Sequence, residues 1–232
     1  MLYSMKINTN TQSGEIPFMK KRLPAVSGPE LHLISPEGIP LADWLRLSLA
    51  VLPYVDYFHL RNRQLTAKAL LEAVNQMQQA GIPIESIVIN DRLDVALASE
   101  AGGVQLAGHS LPVAAARPLV SEMRIGCSIH SPEEAVDAAS EGADYCLFGH
   151  VYESTSKPGL PARGLNLLEE TVTRCSIPVI AIGGIHPDNA GAVIGRGAGG
   201  IAILSGISSA ADPAAQAKAY RTAIQAAWLE RR

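Results

Sequence analysis

Charged and hydrogen-bonding side chains recur in short clusters along this chain, and their spacing gives them chemical meaning. His59 and Arg61 are two residues apart, so an extended backbone puts them on one face, with Arg63 just beyond. Asn90-Asp91-Arg92 forms a second cluster. Guanidinium and amide groups in such places bind phosphate or carboxylate, although solvated loops carry them too. His130 lies in Gly126-Cys127-Ser128-Ile129-His130-Ser131. An unperturbed imidazole titrates at about 6.5, so His130 is a candidate for proton transfer, or else a hydrogen-bonding loop residue. The long segment from Gly149 to Gly164 contains His150, Tyr152, Lys157 and Arg163. Segments of that length tend to be lids or binding loops, and Lys157 there is either an anion ligand or an exposed lysine. Two glycine-containing pairs complete the set. Gly183-Gly184 lets backbone N–H groups approach an anion unobstructed, and Ser205-Gly206 adds a hydroxyl and further amides where a short helix would begin. The six histidines show no HExxH or other ligand spacing, so no metal site is expected; His186, before Pro187, suits a helix start.

The elements that position these residues follow from the apolar pattern. Candidate strands are Leu31–Ile34, Tyr57–Leu60, Ser86–Ile89, Gly103–Leu106, Arg124–Cys127, Tyr145–Phe148, Pro178–Ile182 and Gly200–Ile203. Amphipathic segments alternate with them, from Leu41–Leu52 through Pro112–Val120 to Pro213–Glu230. Ser131-Pro132-Glu133-Glu134 reads as an N-cap, a proline at the first helical position and acids in the first turn. Gly81, Gly102, Gly142 and Gly197 sit where helices should stop. Eight strand–helix units without a composition break predict one parallel, closed (β/α)8 TIM barrel over residues 29–232. An open doubly wound sheet is disfavoured because Ile34-Ser35-Pro36-Glu37-Gly38, not GxGxxG, follows the first strand. In such a barrel the active face lies past the C-terminal strand ends, where every cluster above falls, and phosphate sits after strands seven and eight.

Composition narrows the function classes. Hydrophobic residues make up 47% and aromatics 5%, so the core must be built mainly from aliphatic side chains. A net charge of −3 and the absence of a basic stripe argue against nucleic acid as a partner. No apolar run reaches the roughly 20 residues of a membrane span. Cys127, Cys146 and Cys175 show no zinc or disulfide spacing and read as inert thiols in a reducing, cytoplasmic compartment. Residues 1–28 are polar, without the apolar stretch of a signal peptide, and are expected to be a disordered leader; Met19, before Lys20-Lys21-Arg22, is an alternative start. Nothing in the residues argues for or against a homodimer.

Asn90-Asp91-Arg92, Gly142-Ala143-Asp144-Tyr145 with Phe148-Gly149, and Pro178 through Ile185 resemble the thiamine phosphate synthase/TenI superfamily, over roughly Leu31 to Ser208. The resemblance implies one of two chemistries. The synthases couple a pyrimidine pyrophosphate to a thiazole phosphate, using Mg²⁺ held by two aspartates. One aspartate would be Asp91, but Ser110 stands where the second is expected, and His59-Leu60-Arg61-Asn62-Arg63 replaces the usual Gln-Leu-Arg-x-Lys. The TenI branch shares the His-x-Arg pattern, the Ser-x-His-Ser pattern after strand five, and Phe148-Gly149-His150-Val151. On that likeness the expected activity is a thiazole tautomerase, an isomerase without cofactor or metal that aromatises a dihydrothiazole carboxylate phosphate. His130 would transfer the proton; Gly183, Gly184, Ser205 and Gly206 would hold the phosphate. His59, Arg61, Arg63, Asn90 and Lys157 would contact the rest of this small-molecule substrate. The alternatives are the synthase itself and a non-catalytic binder of thiazole phosphate.

Overall fold

The computed structural model describes residues 28–120, 122–154 and 159–231. Eight strands, β1 (Glu30–Ile34), β2 (Tyr57–Leu60), β3 (Ile87–Asn90), β4 (Gly103–Leu106), β5 (Arg124–Ile129), β6 (Tyr145–Gly149), β7 (Val179–Ile182) and β8 (Gly200–Ile203), pair in sequence order. Every pairing is parallel, and β1 closes the barrel against β8 through the Leu31↔Ile201 register. Around it lie α1 (Leu41–Val51), α2 (Ala67–Gln79), α3 (Leu93–Ser99), α4 (Val113–Ala116), α5 (Pro132–Ser140), α6 (Gly164–Arg174), α7 (Pro187–Gly195), α8 (Ser205–Ser208) and α9 (Pro213–Glu230). The (β/α)8 expectation is therefore met. The leader expected over residues 1–28 lies, apart from Gly28, outside the described residues.

Local chemistry sets the helix starts. Thr66, Ser131 and Asp212 each accept a backbone N–H from the first turn of the helix that follows, as short polar caps do. Several strand bounds differ from the sequence reading by a residue or two, and two helix ends differ in kind. The segment expected as one helix over Pro112–Val120 is α4 followed by a 3-10 turn, Arg117–Leu119, because Pro118 has no N–H to donate and restricts the residue before it. The left-handed residue that ends α3 is Glu100, φ +53°, rather than Gly102.

Alternation along the strands creates two unlike cores. Between strands and helices, side chains such as Leu33, Phe58 and Ile89 pack on Trp44, Val74 and Met77 in a continuous apolar layer. Burying each large side chain there contributes about 1.5–3 kcal/mol. Inside the barrel, Ile34, Leu147, Ile180 and Ala202 make one apolar wall. The rest of the interior is polar. Glu30 of β1 meets Arg124 of β5 across the lumen, and Arg124 stacks over the rings of Tyr57 and Tyr145. No helix among the described residues is long and apolar enough to cross a membrane.

Candidate active site

A cavity of about 1060 Å³ opens at the C-terminal strand ends, with Ile34, Leu147, Ile182 and Ala202 toward its floor. Its rim has two chemically different halves.

One half comes from the segments after β1 to β4. Ser35 joins the first two: its hydroxyl accepts the Arg61 N–H at 2.8 Å and donates to the Arg61 carbonyl at 3.1 Å. Glu37 then holds the Arg61 guanidinium at 2.8 Å through one oxygen and the Arg63 N–H at 2.7 Å through the other. Arg61 is thereby aimed rather than free, while the exposed Arg63 side chain has no ion-pair partner among the described residues. Arg92 forks onto Asp94, at 2.8 and 2.6 Å. Asp91 takes a left-handed backbone, φ +68°, an unusual conformation for a residue with a side chain. It brings its carboxylate against Ser110, whose hydroxyl donates to Asp91 Oδ1 at 2.6 Å, with His109 3.7 Å from Oδ2.

The other half is backbone. Gly183 and Gly184 both have positive φ, +102° and +64°, and β6 runs on to lie across them: Val151 N–H donates to Ile182 O and Tyr152 N–H to Gly183 O. A Cβ on Gly183 would collide with His150, and one on Gly184 with Tyr152 and Glu153. Only glycine suits both the dihedrals and the crowding. Ser205 and Gly206 start α8 beside them. Tyr220 of α9 joins the two turns, since its hydroxyl donates to Ile185 O at 2.8 Å and lies where a Gly206 Cβ would be.

The structure brings Arg61, Arg63, Asn90, His130, Gly183, Gly184, Ser205 and Gly206 to one cavity. His130 sits on the β5 side, with its backbone N–H on Glu134 Oε2 at 2.7 Å and Nδ1 3.4 Å from the same oxygen. His59 is different: it is fully buried beneath the cavity and does not line it, because its strand position points into the lumen below Asn90. Lys157 falls outside the described residues. Sequence reasoning missed Glu37, Gln105, Ser128 and Tyr220. Glu37 was visible only through its place after the first strand. Gln105, which donates to Ser128 at 3.0 Å on the cavity wall, lies inside what reads as an apolar strand. Among the described residues, no group of three or more His, Cys, Asp or Glu side chains is arranged to hold a metal ion.

A closed parallel barrel of eight strands with alternating helices, its C-terminal strand ends opening on one cavity, places the chain in the (β/α)8 class. Comparison with known proteins narrows the class. Residues 31–207 match the family model described as thiamine monophosphate synthase (TMP-TENI), and the chain belongs to that family. A thiamine-phosphate synthase of Chloroflexus aurantiacus is 40% identical over 167 residues, 72% of this chain and 76% of the relative. One from Chlorobium phaeovibrioides is 39% identical over 83% of this chain and 93% of its own. The solved thiamine phosphate pyrophosphorylase of Pyrococcus furiosus superposes with a TM-score of 0.75 at 29% identity, covering 85% of this chain and 96% of that one. These findings overturn the expectation of a thiazole tautomerase. The relatives are named as synthases, which are transferases, not isomerases. His59, which carried part of the likeness to the TenI branch, is a lumen residue that does not line the cavity.

Proposed function

We propose that this protein is a thiamine-phosphate synthase, coupling a pyrimidine pyrophosphate to a thiazole phosphate and releasing pyrophosphate. The observation that carries the reading is the two-sided rim. A one-substrate enzyme needs one phosphate grip, whereas here arginine and aspartate side chains face a glycine-amide turn across one cavity. The turn at Gly183-Gly184 with Ser205-Gly206 takes the compact thiazole phosphate, where fixed N–H groups hold a group that does not react. Arg61 and Arg63 take the pyrophosphate, whose negative charge grows as its bond to the pyrimidine carbon breaks and the bond to the thiazole ring forms. Cations held in place before that charge develops stabilise the transition state more than mobile ones, and the Glu37–Arg61 pair provides that placement. Leu147 and Ile182 exclude water from between the two rings. No proton need move, so His130 serves as a wall contact.

The family's Mg²⁺ fits this donor set in one way. Mg²⁺ is commonly held by one or two carboxylates together with substrate phosphates and water. Asp91 offers one carboxylate at the rim, with the Ser110 hydroxyl where a second would stand. Asp91 would hold the ion only alongside bound pyrophosphate, and the ion would supply charge neutralisation of the leaving group. The deciding assay mixes purified protein with both substrates and follows pyrophosphate release with and without EDTA. Release that depends on Mg²⁺ and on both substrates is expected; no coupling under any metal condition would sink the assignment.

A further inference from the structure

Beneath the cavity floor, a file of polar side chains crosses the lumen out of reach of any ligand. Arg124 Nη2 contacts both oxygens of Glu30 at 2.9 Å. Glu30 Oε2 lies 2.8 Å from His32 Nε2, and His32 Nδ1 lies 2.9 Å from His59 Nε2. Both imidazoles are fully buried. Next to His59 comes Asn90, near enough for a hydrogen bond and itself part of the cavity lining.

Donor and acceptor roles along this file follow one from another. Burial opposes the charge on Glu30, but hydrogen bonds and charges from His32 and Arg124 hold its carboxyl below the usual range, so it can only accept. Burial pushes both imidazoles down, His59 well below the ordinary value, so each is neutral near pH 7. His32 must donate from Nε2 to Glu30, which leaves its Nδ1 a bare acceptor. His59 must then donate from Nε2, which leaves His59 Nδ1 bare in turn. His59 Nδ1 and Asn90 Oδ1 are both buried and without a hydrogen-bond partner. An amide is nearly symmetric in shape, and with its NH2 turned to His59 Nδ1 both atoms are relieved at once: the imidazole gains a donor and the amide oxygen faces the cavity.

We propose that the buried Glu30–His32–His59 file is a positioning device that orients the Asn90 amide, so that the cavity is offered a carbonyl oxygen and selects a ligand with an N–H or O–H at that point. The other groups around the file do not disturb this order. Tyr57 and Tyr145, stacked beside His32, keep their protons because burial raises both; Asp56 and Glu30 favour an added proton and Arg124 opposes it. A proton on either imidazole would reverse the file, put N–H against Asn90 and turn the NH2 into the cavity.

The test is nitrogen NMR of the full chain labelled with ¹⁵N histidine, assigned with His32→Gln and His59→Gln. Both imidazoles are expected to be neutral Nε2–H tautomers from pH 7 to pH 8. An Nδ1–H tautomer or an imidazolium at either residue in that range overturns the proposal. A second measurement rests on the synthase reading. His59→Leu should raise KM for the pyrimidine pyrophosphate about tenfold, leave KM for the thiazole phosphate within about twofold, and be largely rescued by His59→Gln. Equal effects on both substrates, or none in a folded variant, would count against a positioning role. Should the wild-type protein couple nothing, the functional assignment falls while the NMR result still decides the orientation of Asn90.

Discussion

The two halves of the cavity rim differ in how they present polar groups to the cavity. After β2 and β3, charge sits on side chains that other side chains must aim, as Glu37 aims Arg61 and Ser110 engages Asp91. After β7 and β8, binding groups belong to the backbone, and they are aimed by turn dihedrals and by the chain crossing above them. Side-chain cations held in place can set a full positive charge against a group whose charge grows during reaction. Backbone amides cannot, and they suit a phosphate that only has to be held. The contrast matches a reaction in which one phosphorylated partner loses its pyrophosphate and the other keeps its phosphate.

The largest expected effect comes from giving the backbone half a side chain. Gly184→Val combines a left-handed dihedral with a collision against Tyr152 and Glu153. Coupling kcat/KM should fall by on the order of 100-fold or more, because about 1.4 kcal/mol of misplacement costs each factor of ten. A loss below about threefold would break the comparison. Asp91→Asn probes the other half: KM for the pyrimidine pyrophosphate should rise roughly 30-fold, as expected for a lost charged contact, with KM for the thiazole phosphate unchanged. Tyr220→Phe removes the hydroxyl that donates to the Ile185 carbonyl. It should raise KM for the thiazole phosphate about fivefold and leave the pyrophosphate partner alone. The smallest effect sharpens the contrast. Ser110→Asp puts a second carboxylate against Asp91, so the Mg²⁺ needed for half-maximal rate should drop several-fold, while the melting temperature in EDTA falls from like-charge repulsion.

These halves were not equally legible in the sequence. The barrel was, because eight aliphatic runs spaced by amphipathic segments leave few other arrangements. The glycine turns were found by position, since strand ends seven and eight are where phosphate sits in barrels. Arg61 and Asn90 were found by residue type. The chemistry is not legible in the short histidine patterns, which point to the TenI branch, whereas the relatives are named synthases. Strand parity puts His59 on the face of Arg61, but not how deep it lies: it is one layer too low to meet a ligand, and that depth depends on barrel closure. Gln105 and Tyr220 were invisible for a related reason. Each acts through a partner distant in sequence, Gln105 on Ser128 and Tyr220 on Ile185.

The Tyr220 tie also bears on how the protein matures. Its ring comes from α9, which packs on α1, α7 and α8, and it touches both glycine turns of the cradle. A chain emerging from the ribosome has all eight strands before this helix exists, yet it lacks the part that sets the spacing of the cradle. On the proposed function, phosphate binding would wait until α9 has docked. A ligand that binds only the finished fold stabilises it by about 2.7 kcal/mol at a hundred times its dissociation constant. The thiazole phosphate would then protect completed molecules from proteolysis while leaving unfinished ones exposed, so that substrate supply also governs how much enzyme survives.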